Sequence, residues 1–426
     1  MLSDSQRQFA LRIVDRLADA GFEAYWAGGC VRDLLMNIPP KDYDVATSAT
    51  PEQVRTLFGK RSTLAIGESF GVIVVIGPRD ESGEHLKVEV ATFRTDGSYS
   101  DGRRPDTVTF SSPREDALRR DYTINGMFYD PIRKGVLDYV GGQEDLKRRV
   151  IRSIGDPAAR IAEDKLRMLR AVRFTARFDF ELDSATAAAI CHQAAELKAV
   201  SPERIAQELR ATLAHPNRAR ACELLISLGL MPVILPELAP IAGSEYWAET
   251  ITLWRLQKID SFELALAILL RGLHGKVDPD SSARSPDTMV ESICRRLRLS
   301  NRECDEISWL VEHQQDLDDA ANLPLHLLKT LLHHRSRDLL LEWTRVRAVG
   351  VGQESSGFDF CEHYLQSTPP ERLDPPPCVT GADLISAGLR PGPEFSEMLA
   401  RVRRAQLDEQ IRTREEGLEL LGLQND

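Results

Sequence analysis

Apolar residues in the first turns of the chain, Phe9, Ile13, Val14 and Leu17, recur at helical spacing and predict an amphipathic N-terminal helix. The pattern then shortens. EAYWAGG is a brief apolar run ending on two glycines, and a helix is expected from near Val31. DYDVAT, GVIVVIG and LKVEVATF alternate and are rich in β-branched residues, as strands are. From about Lys147 the period changes: Val and Ile thin out, Leu, Ala, Arg and Glu take over, and helical periodicity runs to the C-terminus. The expected fold class is α+β, a head with a mixed β-sheet followed by an elongated all-α remainder.

Punctuation divides the helical part. SPER (201–204) and HPNRA (215–219) read as entries from loop to helix, and GKVDPDSSARSPD (275–287) as a polar surface loop. STPPERLDPPPCVTG (367–381) reads as a linker stiffened by its prolines, with a compact helical module after it. No internal repeat or long heptad run is present. The expected divisions are a head over 1–146, a neck over 147–215, a body over 216–366 and a tail over 367–426.

Length agrees with such a division, since 426 residues suit two to four domains. The absence of any long apolar run predicts no membrane span, and the N-terminus lacks the basic and apolar regions of a signal peptide. Seven cysteines without a CxxC pair suit a reducing cytoplasm and argue against a cysteine zinc site. A formal net charge of −11 disfavours a generic nucleic-acid binder unless positive charge is gathered in one place. It is gathered: between Lys147 and Arg177 stand ten Lys/Arg against three Asp/Glu.

Four stretches carry chemistry. In AGGCVRD, Gly28 and Gly29 follow a strand and open a helix, an arrangement that lets backbone N–H groups approach phosphate, with Arg32 one turn on. Ten residues later, Asp42 and Asp44 flank Tyr43; on a strand they share a face and together suit a hard divalent cation, for which Mg²⁺ with substrate phosphates is the natural choice. Glu89, in KVEVATF, is a candidate third carboxylate. In EDKLRMLRAVRFTARFDF, Asp164, Arg167, Arg170 and Arg173 are spaced by three and wind along one flank of a helix. An aspartate beside an arginine offers acceptors and fixed donors to the Watson–Crick edge of a base. Cytosine and adenine both carry an amino donor beside a ring-nitrogen acceptor, so one pair could select both. Arg119 and Arg120, in RRDYTINGMFYDP, can neutralise triphosphate charge, Asp121 can accept from ribose hydroxyls, and Asn125 can brace the same loop.

GGCVRDLL…KDYDVAT resembles the opening motif of the class II tRNA nucleotidyltransferase and bacterial poly(A) polymerase family. RRDYTINGMFYDP resembles that family's second block, EDKLRMLRAVRFTARFDF its base-recognition helix, and CVTGADLISAGLRPGP its C-terminal region. The resemblance makes the head a nucleotidyltransferase domain with Asp42 and Asp44 as metal ligands. It gives Arg120 and Asp121 to triphosphate and ribose, Asp164 and Arg167 to base selection, and Arg170 and Arg173 to the neighbourhood of the nucleotide. The polar stretch from Phe93 to Phe110 resembles the loop that helps the switch to adenine addition. Poly(A) polymerases of this family carry a basic GRRF-like element where this chain reads AIGESFGVIVV, with Glu68 and Ser69 in place of the arginines. Where relatives with a phosphohydrolase domain carry adjacent His and Asp, AILLRGLHG has Arg271 and Gly272; His274, His333 and His334 read as ordinary helix histidines.

The implied activity is Mg²⁺-dependent addition of CMP and AMP, from CTP and ATP, to a tRNA 3′ end, with the helical remainder holding the acceptor arm through its phosphates. An A-adding specialist and a tailing poly(A) polymerase share this chemistry. The reading from another class is a non-catalytic tRNA-binding protein, against which the carboxylate pair and Arg120 argue.

Overall fold

The computed structural model describes residues 2–67, 71–97, 108–241, 243–276 and 288–423. It divides into two units, Met1–Thr212 with Arg220–Glu237, and Leu213–Ala219 with Leu238–Asp426. The architecture is α+β, with the sheet confined to the first unit.

Helix α1 (Leu2–Asp19) buries Phe9, Ala10, Ile13, Val14 and Leu17, the stripe its spacing predicts. Strand β1 (Ala24–Ala27) leads through Gly28 into α2 (Gly29–Leu35), two residues earlier than expected. Then follow β2 (Asp44–Thr47), α3 (Pro51–Phe58), β3 (Thr63–Gly67), β4 (Val72–Arg79) and β5 (His85–Thr92). A hairpin of β6 (Arg94–Asp96) and β7 (Val108–Phe110) precedes α4 (Pro113–Leu118), and β8 (Phe128–Asp130) and β9 (Gly135–Leu137) finish the sheet. Its order is β3-β4-β5-β2-β1-β8-β9, with β2 and β5 parallel and the other neighbours antiparallel.

Alternation sorts the side chains. Trp26, Tyr43, Val45, Val88 and Val90 join the α1 stripe in one core, while Ala27, Ala46, Phe93, Ala117 and Phe128 form another. Residues of β2 and β5 that are out of phase with the first core, Asp44 and Glu89 among them, are left for the opposite face.

The helical part of this unit includes α5 (Gly142–Arg148), α6 (Pro157–Glu163), α7 (Arg167–Phe178), α8 (Ser184–Gln193) and α9 (Pro202–Leu213). Two short parallel strands, β10 (Val150–Ile151) and β11 (Glu181–Leu182), bracket α6 and α7. A bridge between Tyr122 and Ser153 and the bond from Ile154 N to Asp121 O (3.2 Å) fix the 119–125 loop to this element. The Tyr122 hydroxyl donates to the Arg167 carbonyl at 2.5 Å, pinning the same loop to the first turn of α7.

The second unit is helical. Helix Phe262–Leu270 buries eight of its nine residues, and Trp254 and Trp343 are fully enclosed. The proline-rich stretch is no free linker. It includes helix Pro370–Leu373, and the carbonyls of Pro375 and Pro376 accept from Arg403 Nη1 (2.6 Å) and Gln406 Nε2 (2.7 Å). Proline removes a donor but leaves its carbonyl as an acceptor, so side chains from helix Glu394–Leu407 bind this segment down. Lys329, almost wholly buried, pairs with Glu409 at 2.9 Å, anchoring the C-terminal residues to helix Leu325–His333.

Candidate active site

Gly28 has φ 71°, a left-handed conformation that favours glycine, and a Cβ there would lie 3.0 Å from Arg120 Nη1. Both facts require the absent side chain: the turn from β1 into α2 is tight, and a guanidinium lies against it. Arg32, only 4% exposed, is held by neighbouring side chains. Its Nε donates to Asp33 Oδ1 (2.8 Å) and its Nη1 to Asn125 Oδ1 (2.6 Å), and it lies over the rings of Phe178 and Phe174. Burial lowers its pKa, and Asp33 opposes that shift. Arg32 lines the cleft while fastening α2 to Asn125 and α7.

Strand β2 begins at Asp44, so Asp42 stands just outside it rather than within a strand. The expected facing nevertheless holds, because exposure alternates: Asp42 exposed, Tyr43 buried against Trp26 (ring centroids 4.8 Å apart), Asp44 exposed, Val45 buried. Val45 pairs with Val90 in the parallel register, which sets Asp44 level with Glu89 on β5. Desolvation by the surrounding protein, together with the charges of Asp42 and Glu89, pushes the Asp44 carboxyl up to about 7 against the pull of Arg120. Asp44 nevertheless keeps contact with solvent. These carboxylates are hard oxygen donors repelling one another, an arrangement a divalent cation relieves. Among the described residues no three His, Cys, Asp or Glu side chains close into a complete metal cage, so a cation here would draw further ligands from phosphates or water.

Asp116, 1% exposed on α4, organises the arginine pair. Its Oδ1 accepts from Arg119 Nε (2.9 Å) and Nη2 (2.6 Å), its Oδ2 from Arg120 Nε (3.2 Å) and Nη2 (2.9 Å), and the Arg94 N–H reaches Oδ1 at 3.3 Å. Burial works against its charge, but the two guanidiniums hold its pKa below the ordinary carboxylate value. Asp116→Ala is expected to lower stability by about 3 kcal/mol, because it leaves two closely spaced cations without their counter-charge. Thermal unfolding measures that loss, and nucleotide titration should show weaker binding, since Arg120 then keeps only a long bond to the Asn125 carbonyl and its place over the Phe128 ring.

Asp121 accepts from Arg170 Nε (2.8 Å) and Nη2 (2.7 Å) through Oδ2, and from Asn125 Nδ2 (3.0 Å) and its neighbour's N–H through Oδ1. Desolvation alone would raise its pKa; Arg170 and these bonds hold it down at about 2. Asp121 is therefore a fixed anion, committed to Arg170.

The third block is not one helix. Asp164 ends α6 with φ −141° and ψ 103°, and α7 begins only at Arg167. Its Oδ1 accepts the Leu166 N–H (3.1 Å), the turn an aspartate makes in competition with helix, and its Oδ2 accepts from Arg204 Nη2 on α9 (2.8 Å). Arg167, 8% exposed, donates through Nη1 to Glu163 (2.9 Å) and to the Arg160 carbonyl (2.8 Å). Arg173 pairs with Glu208 (2.6 Å) and lies over Phe174.

Together these residues line a cleft of about 480 Å³ in the first unit. Gly28, Gly29, Arg32, Asp44, Arg119, Arg120, Asp121, Asp164, Arg167, Arg170 and Arg173 are all in it, with Asn125, Arg94, Phe174 and Arg177; Asp42 adjoins it through its effect on Asp44. Eight arginines face three aspartates there, so the cleft suits a polyanion. Sequence reading missed Asp116, Arg177, Glu163, Arg204 and Glu208. Asp116 had a signal, lying three and four residues before the arginine pair at helical contact spacing; Arg204 and Glu208, on α9, had none.

Residues 98–107 of the Phe93–Phe110 stretch, and Glu68 and Ser69, lie outside the described residues. Arg271 is engaged with Thr250, Glu249 and the Tyr246 ring, His333 with Asp374, and His334 stacks on Trp309.

A family model described as "Poly A polymerase head domain" matches residues 24–152, and one described as "Probable RNA and SrmB- binding site of polymerase A" matches residues 179–241. A CCA-adding enzyme of Geobacillus kaustophilus is 34% identical over 409 residues, 96% of this chain and 94% of its own. Another, of Geobacillus sp. strain WCH70, is 38% identical over 306 residues, 72% of this chain and 73% of its own. Among solved structures, the Bacillus stearothermophilus CCA-adding enzyme in complex with CTP superposes with a TM-score of 0.76 at 30% identity, covering 97% of this chain and 96% of that one. The Thermotoga maritima CCA-adding enzyme complexed with tRNA, at 21% identity and TM-score 0.62 over 99% and 97% of the two chains, shares the fold. The chain therefore belongs to the family of the CCA-adding enzymes, the class II tRNA nucleotidyltransferases related to bacterial poly(A) polymerases.

Proposed function

We propose that this protein adds CMP and AMP, from CTP and ATP, to the 3′ end of tRNA and so builds or repairs its CCA terminus. The observation that carries this reading is the arginine-lined cleft, which holds Asp44, Asp121 and the Asp164–Arg167 hinge together. Asp42 and Asp44 would hold Mg²⁺, with Glu89 contributing charge. That ion would supply neutralisation of the triphosphate and a more acidic attacking hydroxyl.

The remaining roles fall to this chain's own residues. Arg119 and Arg120, held side by side by Asp116, meet the phosphates, and Gly28 and Gly29 let the chain approach closely. Arg32 and Asn125 keep the α2 turn in place. Asp121, with Arg170, meets the ribose, while Arg173 completes the flank of α7. Asp164 and Arg167 read the amino group and ring nitrogen shared by cytosine and adenine. The tRNA 3′-hydroxyl attacks the α-phosphorus and pyrophosphate leaves. We assign catalysis to residues 1–146, base recognition to 147–215 and a supporting helical body to 216–366. Residues 367–426 are assigned to tRNA binding. Among the described residues no helix is long and apolar enough to cross a membrane, and the reading places the protein with tRNA in the cytoplasm.

Supplying CTP and ATP separately to tRNAs ending before the first C, after C and after CC tests this directly. Two cytidines followed by one adenosine, with no further growth, are expected. Restoration of the last A alone would mean an A-adding specialist, and long A-tails on unstructured RNA without C incorporation would mean a poly(A) polymerase.

A further inference from the structure

Four arginines occupy one flank of α7, at 167, 170, 173 and 177, and the spacing of three, three and four keeps them there. The first three each have a carboxylate: Glu163, Asp121 and Glu208. Arg177 has none among the described residues. It is half-buried, lines the cleft, and lies over the Phe178 ring at 5.2 Å. Its charge acts on Arg32, which sits over the same ring at 4.5 Å and whose pKa it depresses, after desolvation. Two like charges thus share one aromatic side chain, and Asp33 answers only Arg32. Such a site is short of an anion.

The order along the helix says which part of a nucleotide would supply it. Arg167 adjoins Asp164, Arg170 holds Asp121, and Arg177 stands beside Arg32 of the glycine turn helix. At 1.5 Å per residue, Arg167 and Arg177 are about 15 Å apart along the axis. Base, ribose and phosphates would follow in that order. Resting on the nucleotide-binding reading above, we infer that Arg177 receives the terminal phosphates of the incoming nucleotide and so separates nucleoside triphosphates from monophosphates. Among the described residues no carboxylate pairs with this guanidinium, which makes its full charge available when a triphosphate arrives.

The test is competition by inorganic tripolyphosphate, pyrophosphate and CMP against labelled CTP, with wild type, Arg177→Ala and Arg177→Lys. In the alanine variant, tripolyphosphate and pyrophosphate should each bind about ten- to a hundredfold more weakly, with KM for CTP rising in step. CMP should bind as it does to wild type, and lysine should recover part of the loss by restoring the charge. Equal weakening of CMP would assign Arg177 to the integrity of the helix and overturn the inference, as would undiminished tripolyphosphate binding. Failure of tripolyphosphate to compete in wild type would instead sink the nucleotide reading of the whole cleft, and this inference with it. Circular dichroism and thermal unfolding of both variants identify any loss that comes from misfolding.

Discussion

Asp44→Asn should lower the rate of nucleotide addition on the order of a thousandfold or more, while tRNA binding persists. The carboxylate is isosterically replaced, so packing around β2 is kept and only charge is lost. A stability measurement makes the prediction two-sided. In the folded chain the Asp44 carboxyl is raised to about 7, whereas an unfolded aspartate titrates near about 3.9. Between those values the folded state holds the extra proton, so rising pH works against folding across that window, and the full penalty is present above it. The asparagine variant has no charge to penalise. Without metal it should therefore melt higher than wild type at pH 8, with the difference vanishing towards pH 4. Added magnesium should stabilise wild type at pH 8 and leave the variant unmoved. A variant that melts lower than wild type at pH 8 and keeps its activity would remove Asp44 from the mechanism.

Asp164→Ala should collapse base selection. The aspartate is held by Arg204 and by the Leu166 N–H, in a non-helical turn that stops α6 and presents a fixed acceptor beside Arg167. A site built to hydrogen-bond a particular edge rejects the wrong one because polar groups are left unpaired. Removing the acceptor should reduce kcat/KM for CTP and ATP about a hundredfold and bring UTP within reach of CTP, since uracil's carbonyl no longer faces a carboxylate. Single-nucleotide incorporation with each of the four triphosphates measures this. Unchanged preference for CTP over UTP would move recognition elsewhere.

Much of this site was legible one residue type at a time. The pattern Gly-Gly, Asp-Tyr-Asp, Arg-Arg-Asp and Asp-x-x-Arg named eight of the residues that line the cleft, because each motif is local and its chemistry depends on residues within a turn or a strand step. What no local pattern showed were states of pairing. Arg32 lines the cleft and is bonded as well to Asp33 and Asn125, the latter 93 positions away. The third block looked like one helix because its apolar period is unbroken, but the Asp164 side chain competes for a backbone donor and ends α6 there. The proline-rich segment reads as a linker stiffened by its prolines, and only the fold shows their carbonyls accepting from Arg403 and Gln406.

The α+β division, the apolar stripe of α1, the facing of Asp42 and Asp44, and the gathering of positive charge over 147–177 can all be read along the chain. These follow from periodicity and spacing, which act over a few residues. Which charges are paired emerges only on folding: Asp116 clamps Arg119 and Arg120, Glu208 holds Arg173 from another helix, and Arg177 is left without a carboxylate among the described residues. An ion pair forms where folding brings two side chains within a few ångströms, and that distance is written in no local pattern.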